Sequence, residues 1–186
     1  MNRLKSPNLD TARIPALLVV AVVFVVYLPV LNAGFIWDDN HNILENPSFR
    51  GLSPSHLAWM FSTFHDGNYH PLCWLTLGVD YSIWKLNPTG YHLTNLILHC
   101  LNAAAFYYFL QMLFRRTWAE NTGRAHSDVL SGALIGAFFF ALHPLRVESV
   151  AWISTRGDLL CALFVLLTLI TYVHRASDRA SHRHFW

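Results

Sequence analysis

Charge is scarce in this chain. Lysine, arginine, aspartate and glutamate make up only 13% of its 186 residues, about half the roughly 25% usual for soluble domains. The formal net charge of +2 is too small to attract a nucleic acid. Cysteine is sparse as well. Cys73, Cys100 and Cys161 have neither paired nor metal-type spacing, which removes a disulfide framework from consideration. Cys100 and Cys161 lie in apolar runs and read as small buried hydrophobes, with Cys73 facing the exterior. No repeat of 20–50 residues is visible. The two asparagine sequons, "NPS" at Asn46 and "NPT" at Asn87, both carry the proline that disqualifies them. A cleavage site is missing too: "LNAGFIW" after the first apolar run lacks a small-x-small pattern, so that run reads as a retained signal-anchor helix.

What the chain has in quantity is apolar length. Hydrophobic residues reach 54% and aromatics 15%. Four segments have the character of membrane spans, at about 14–31, 91–114, 129–142 and 159–173, against a need for about 20 apolar residues. The last two are short alone and credible as a hairpin, because backbone polar groups in lipid must be satisfied within helices. Gly132 and Gly136 make a small-xxx-small pair suited to close helix packing. The expected fold is therefore an all-α membrane protein with about four transmembrane helices. Within the first long loop, "SPSHLAWMFST" (53–63) and "PLCWLTLGVDYSIWKL" (71–86) read as interfacial helices with tryptophans at headgroup depth.

Orientation follows from the basic residues. With the N-terminus inside, the inner segments carry Arg3, Lys5, Arg13, Arg115, Arg116, Arg124, Arg175, Arg179 and Arg183; the outer ones carry only Arg50, Lys85, Arg146 and Arg156. Positive-inside bias thus puts both termini in the cytoplasm. The expected organisation is a cytoplasmic stretch 1–13, a membrane domain 14–174 with outer loops 32–90 and 143–158, and a cytoplasmic tail 175–186.

Three polar groups could carry chemistry. Asp38 and Asp39 follow the first span directly, in "GFIWDDNHNILENP". Neighbouring side chains point different ways, so the pair is unsuited to sharing a proton. One carboxylate in a partly desolvated cleft suits a general base, with the other supporting it. Asp38, Asp39, His41 and Glu45 are capable of ligating a divalent metal, but their spacing is not diagnostic and no metal is assigned. The second group is a stripe on the 91–114 span: His92, Asn95, His99 and Asn102 share one helix face. It reads as interhelical hydrogen bonding, since no facing histidine exists within a span for haem. The third is "ALHPLRVESVAWISTRGDLL" (141–160), with His143, Arg146, Glu148, Arg156 and Asp158. An ion-paired amphipathic turn is the plain reading. The functional one is a cationic wall opposite Asp38, fitted to a base removing a proton while an anionic phosphate departs.

The blocks "FIWDDNHNILENP", "YHPLCWLTLGVDYSIWKLNPTGYHLTNLILHCLN" and "ALHPLRVESVAWISTRGDLLCALF" resemble the membrane part of the transmembrane and tetratricopeptide-repeat-containing O-mannosyltransferases, and its bacterial relatives most of all. That family is similar to the GT-C glycosyltransferases, multispanning enzymes with an acidic motif after the first helix. The resemblance implies a GT-C-like fold and transfer of a sugar, such as mannose, from a polyprenyl-phosphate donor to a hydroxyl acceptor, such as a protein. It implies the non-cytoplasmic side of a membrane, here a bacterial inner membrane.

Carried over, the acidic motif falls on Asp38 as base and Asp39 as its support. Arg156, with His143, His70 and Arg146, is assigned to the donor phosphate, and Glu148 and Asp158 to supporting roles. His70 departs from the arginine found before "PL" in eukaryotic members. The family has more membrane helices and a repeat array, so the chain is expected to be an N-terminal piece or a truncated relative. The rival reading is a non-catalytic membrane scaffold or assembly factor derived from the same fold.

Overall fold

The computed structural model describes residues 9–119 and 126–183. Arg3, Lys5 and Arg124, which contribute to the charge asymmetry, lie outside these residues, as does the end of the 175–186 tail. The main elements are α1 (Leu9–Tyr27), α2 (Pro54–Ser62), α3 (Pro71–Trp84), α4 (Pro88–Phe114), α5 (His126–Ala141), α6 (Arg146–Ala151) and α7 (Arg156–Arg183). No sheet forms among the described residues; His65 and Asn68 make an isolated bridge. Three helices, α2, α3 and α4, begin on proline, whose fixed φ suits the first turn and whose missing N–H is not needed there. At the end of α1 the chain tightens into a 3-10 turn, Leu28–Asn32, with Pro29 inside it. The last helix extends well beyond the apolar run that announces it.

Three stretches are long and apolar enough to cross a membrane: Arg13–Asn32, Pro88–Thr117 and Ile153–Ala176; His126–Ala141 is apolar but shorter. Only 11% of the apolar window in Ile153–Ala176 is buried inside the chain. Phe139, Phe164 and Tyr172 are exposed, a surface that water would not tolerate and lipid or further helices would cover. The chain is an all-α, multi-pass integral membrane protein. Cys161, expected to be buried, is exposed, because it sits on the apolar face of α7 that the protein itself leaves open. Cys100 is buried and Cys73 half-buried.

The chain forms two compact units. Among the described residues the first comprises 9–26, 100–119, 126–143 and 162–183. Its interior buries Ala103, Ala133 and Ala137 beside Val19, Val23 and Tyr107. A Cβ added to Gly136 would come within 2.5 Å of Leu110 Cδ1, so this glycine allows α4 and α5 to approach closely. Nearby the Phe106 and Phe140 rings lie 4.7 Å apart.

The second unit comprises Tyr27–His99 and Pro144–Cys161. Its core gathers Ile43, Phe49, Met60, Trp74, Leu77, Tyr91 and Ile153. Ser53 caps α2, its hydroxyl accepting from the His56 N–H at 3.5 Å. Trp74 of α3 is turned into the core, while Trp84 stays partly exposed. The tryptophans of the long loop therefore serve packing as well as any interface. His92, Asn95 and His99 of the polar stripe are buried here, as is Asn102 in the first unit. His99 meets the Tyr27 ring edge-on at 5.0 Å, and Asn95 belongs to the network described next.

Candidate functional site

The second unit carries an open cleft of about 220 Å³ whose lining includes Asp38, Asn42, His65, His70, Trp152 and Ser154. Its acidic corner is made by a turn. Asp39 N–H donates to Ile36 O at 2.9 Å and Asn40 N–H to Trp37 O at 3.1 Å, with Trp37 held at φ +48°, an uncommon conformation for a bulky residue. This turn separates the two aspartates. Asp39 is fully buried. Its Oδ2 accepts from the Ile36 N–H at 3.2 Å, and its Oδ1 accepts from both the Ser154 N–H at 2.8 Å and the Ser154 hydroxyl at 2.6 Å. Asp38, next in the chain, is exposed and lines the cleft. One carboxylate is fixed structure; the other is free to meet a ligand.

Behind the Ser154 turn lies a buried charge pair. Arg156 is fully enclosed. Its Nη1 lies 2.6 Å from Asp80 Oδ2; its Nε donates to Asn95 Oδ1 at 2.8 Å and its Nη2 to Tyr91 O at 3.0 Å. The Thr94 hydroxyl donates to Asp80 Oδ1 at 2.7 Å. Burial pushes the Asp80 carboxyl above its ordinary value, and Arg156 and Thr94 oppose that rise. The pair ties the start of α7 to α3 and α4, and so fixes the turn from which Ser154 reaches Asp39. It is the pattern expected of enclosed charges, which persist when paired and hydrogen-bonded.

The structure brings Asp38 and His70 into one cleft, with Asp39 anchoring its wall. Arg156 does not line the cleft; none of the described lining residues is lysine or arginine. Glu148 and Asp158 are exposed and Arg146 half-buried. His143 belongs to the first unit, where its ring meets Phe139 edge-on at 5.5 Å.

A set of potential metal ligands also stands at the cleft. His41, His65 and Asp66 place their ligand atoms within 4.8 Å of one another, enough to hold an ion. This is a different set from the Asp38, Asp39, His41 and Glu45 considered from sequence: both oxygens of Asp39 are already engaged, and Glu45 lies 3.4 Å from His41 Nδ1. Sequence reasoning missed Ser154 and gave no site role to Asp80, His65 or Asp66, which it saw only as ionisable groups of the outer loops. Asp80 had a signal, a lone carboxylate inside an apolar helix. So did Asp66, since Asp-Gly marks a tight hairpin turn.

These features define a class: a polytopic α-helical membrane protein whose first long loop folds over an acidic cleft. The comparisons narrow it, for the chain is a homologue of the Tmtc family of O-mannosyl-transferases. It is 33% identical over 167 residues to protein O-mannosyl-transferase Tmtc1 of Drosophila melanogaster, covering 86% of this chain and 18% of that protein. It is 32% identical over 168 residues to human TMTC2, covering 86% and 18% respectively. Human TMTC4 is 29% identical over 165 residues, covering 84% and 22%. The chain thus spans about a fifth of the length of these relatives. These three are animal proteins and supply no counterpart for a bacterial membrane. No family model and no solved structure matches the chain.

Proposed function

We propose that the cleft belongs to the active site of a membrane glycosyltransferase that moves a sugar from a polyprenyl phosphate to a hydroxyl acceptor, with mannose and protein as donor sugar and acceptor class. The observation that carries the reading is the division of labour between the two aspartates, in a homologue of proteins named O-mannosyl-transferases. Asp38 acts as base. It takes the acceptor's hydroxyl proton as that oxygen bonds to the anomeric carbon, and the carbon–oxygen bond to phosphate breaks with its electron pair on the phosphate. Attack and departure on opposite faces of an oxocarbenium-like centre invert the configuration. His70 shares the cleft and faces the phosphate. Arg156 is a positioning residue, holding the Ser154 turn. The basic residues of the inner segments put both termini in the cytoplasm and the cleft on the opposite side; the motif resemblance favours a bacterial inner membrane.

The test is transfer from polyprenyl-phosphate mannose to a serine- and threonine-containing protein in membranes holding the protein. Asp38→Asn should lower the rate by about 10²–10⁴-fold while the protein stays folded. Unchanged transfer in Asp38→Asn overturns the assignment of the base, and no transfer by wild-type protein in its native membrane overturns the reaction.

A further inference from the structure

We infer that His41, His65 and Asp66 form a binding site for one borderline transition-metal cation of the zinc class, open on one side to the cleft. Asp66 and Gly67 both have positive φ, +49° and +76°, and His65 and Asn68 exchange both backbone hydrogen bonds, at 3.1 and 2.9 Å. This is the tight hairpin geometry that Asp-Gly favours, and it sets the Asp66 carboxylate beside the His65 ring. The ring is itself fixed by aromatic neighbours: Trp74 lies edge-on at 5.2 Å and Trp59 at 6.1 Å. Its Nε2 is buried and has no hydrogen-bond partner among the described residues, a state that costs free energy unless something is bound there.

His41 arrives from a separate element. The π turn Asn40–Leu44 is held by Arg50, whose Nη2 donates to Ile43 O at 3.1 Å and Leu44 O at 2.6 Å. The His41 ring stacks on His65 at 5.3 Å with an interplanar angle of 19°. Its Nδ1 lies 3.4 Å from the Glu45 carboxylate, which leaves Nε2 to face the other two ligands. A carboxylate on the far nitrogen is the usual partner of a metal-binding histidine, because it fixes the tautomer and raises ligand basicity.

The three residues' ligand atoms lie within 4.8 Å of one another, close enough to converge on one small ion. His41 Nε2 is 3.6 Å from Asp66 Oδ1, and His65 Nε2 is 3.6 Å from Asp66 Oδ2. Ligands bound at 2.0–2.1 Å in a tetrahedron stand about 3.3 Å apart, so closure needs side-chain adjustments of a few tenths of an ångström on these edges. Two imidazoles and one carboxylate select zinc-like ions over magnesium or calcium, which take oxygen ligands. With neutral histidines the loaded site carries one net positive charge.

That charge answers a deficit. No lysine or arginine is among the described residues lining the cleft, and Arg156 is spent on Asp80. A cation with an open coordination position beside Asp38 would take a phosphate oxygen of the donor. This role rests on the transferase reading above; the metal site itself does not.

The experiment uses the full chain, purified in detergent without an affinity tag and stripped with chelator. Zinc is titrated against a chromophoric competitor, and cobalt is followed by its visible d–d absorption. One equivalent should bind, with tetrahedral-type cobalt bands. His41→Ala, at an exposed position, and His65→Gln, which preserves bulk between the tryptophans, should each abolish stoichiometric binding; Glu45→Gln should weaken it about tenfold. Helical circular dichroism shows whether each variant is folded. Failure of the wild-type protein to bind zinc or cobalt, or undiminished binding in folded His41→Ala, overturns the site. Inorganic phosphate should shift the cobalt spectrum; a phosphate-insensitive spectrum leaves the site standing and overturns the role in holding the donor. Loss of sugar transfer with metal binding intact would count against the transferase reading alone.

Discussion

Asp39 and Ser154 stand 115 residues apart and are joined twice, through one carboxylate oxygen that accepts from the serine N–H at 2.8 Å and its hydroxyl at 2.6 Å. This contact makes a site out of two distant loops. It also gives the paired aspartates opposite sensitivities. Asp39→Ala removes the acceptor of two part-buried backbone N–H donors, those of Ser154 and Ile36, and hydrogen bonds to a charged group contribute about 1.5–3 kcal/mol each. Asp38 is exposed, so Asp38→Asn should change stability by less than about 0.5 kcal/mol. Thermal unfolding in detergent checks the contrast: the Asp39 variant should melt several degrees lower, and the Asp38 variant with wild type. Equal melting temperatures would refute the division between them.

Arg156 and Asp80 lend themselves to a double-mutant cycle. Removing either partner leaves a buried charge uncompensated, at a cost of about 3–5 kcal/mol. Arg156→Met combined with Asp80→Leu removes both charges and should be less damaging than either single change. The measurement is unfolding midpoint in denaturant for all four proteins. Additive effects would mean that the 2.6 Å contact carries no coupling.

The same pair makes a pH prediction. Burial raises the Asp80 carboxyl in the folded protein and Arg156 opposes the rise. A carboxyl whose folded value exceeds its unfolded value holds its proton more firmly when folded. Its contribution to stability is therefore present below the unfolded value of about 4 and lost as pH rises through the folded value. Arg156→Met removes the opposing cation and should steepen this fall in stability as pH increases from about 4. Adding Asp80→Asn should abolish the slope. Midpoints measured between acid and neutral pH decide the matter; a variant that gains stability as pH rises over that range would contradict the sign.

Cys73 reports on the same interior. Burial pushes its thiol above the ordinary value, the Arg156 charge and the Gly157 N–H oppose that shift, and Asp158 adds to it. Since only the thiolate is an effective nucleophile, iodoacetamide should modify Cys73 slowly at neutral pH, with the rate still climbing above the ordinary thiol value of about 8.5. Arg156→Met should slow the reaction further. Site-resolved mass spectrometry against a denatured control is the readout, and rapid labelling at neutral pH would show that the thiol is not desolvated.

Much of the fold is written in local pattern. Apolar runs mark α1, α4, α5 and α7, because lipid or protein must cover each one, and proline marks where α2, α3 and α4 begin. The one-face spacing of His92, Asn95 and His99 was legible for the same reason, and all three are buried. The site was less legible because its links are tertiary. Nothing near Ser154 in the sequence points to Asp39. The charge of Arg156 is evident, but its enclosure depends on Asp80, Asn95 and Tyr91 arriving from two other helices. Cys161 was misread because an apolar run does not say which of its faces meets protein and which meets lipid.

Gly78 offers a test of how tightly the loop over the cleft is packed. It lies within α3, where glycine is otherwise a poor choice, costing up to about 1 kcal/mol against alanine in a helix interior. A Cβ there would lie 2.6 Å from Met60 Cε and 3.1 Å from the carbonyl oxygens of both Phe49 and Gly51. The methionine tip can swing aside. The two carbonyls belong to backbone, and Gly51 is itself held at φ +141°, so the 49–51 segment has little room to retreat. Gly78→Ala should thus lose stability, by about 1–3 kcal/mol for overpacking, despite its gain in helix propensity. Because the same segment carries Arg50, which holds the turn bearing His41, the variant should also loosen zinc affinity without touching a ligand. Unfolding midpoint and zinc titration on the same preparation test both halves. A Gly78→Ala protein as stable as wild type would show that the 49–51 backbone yields, and that packing against α3 does not set the position of His41.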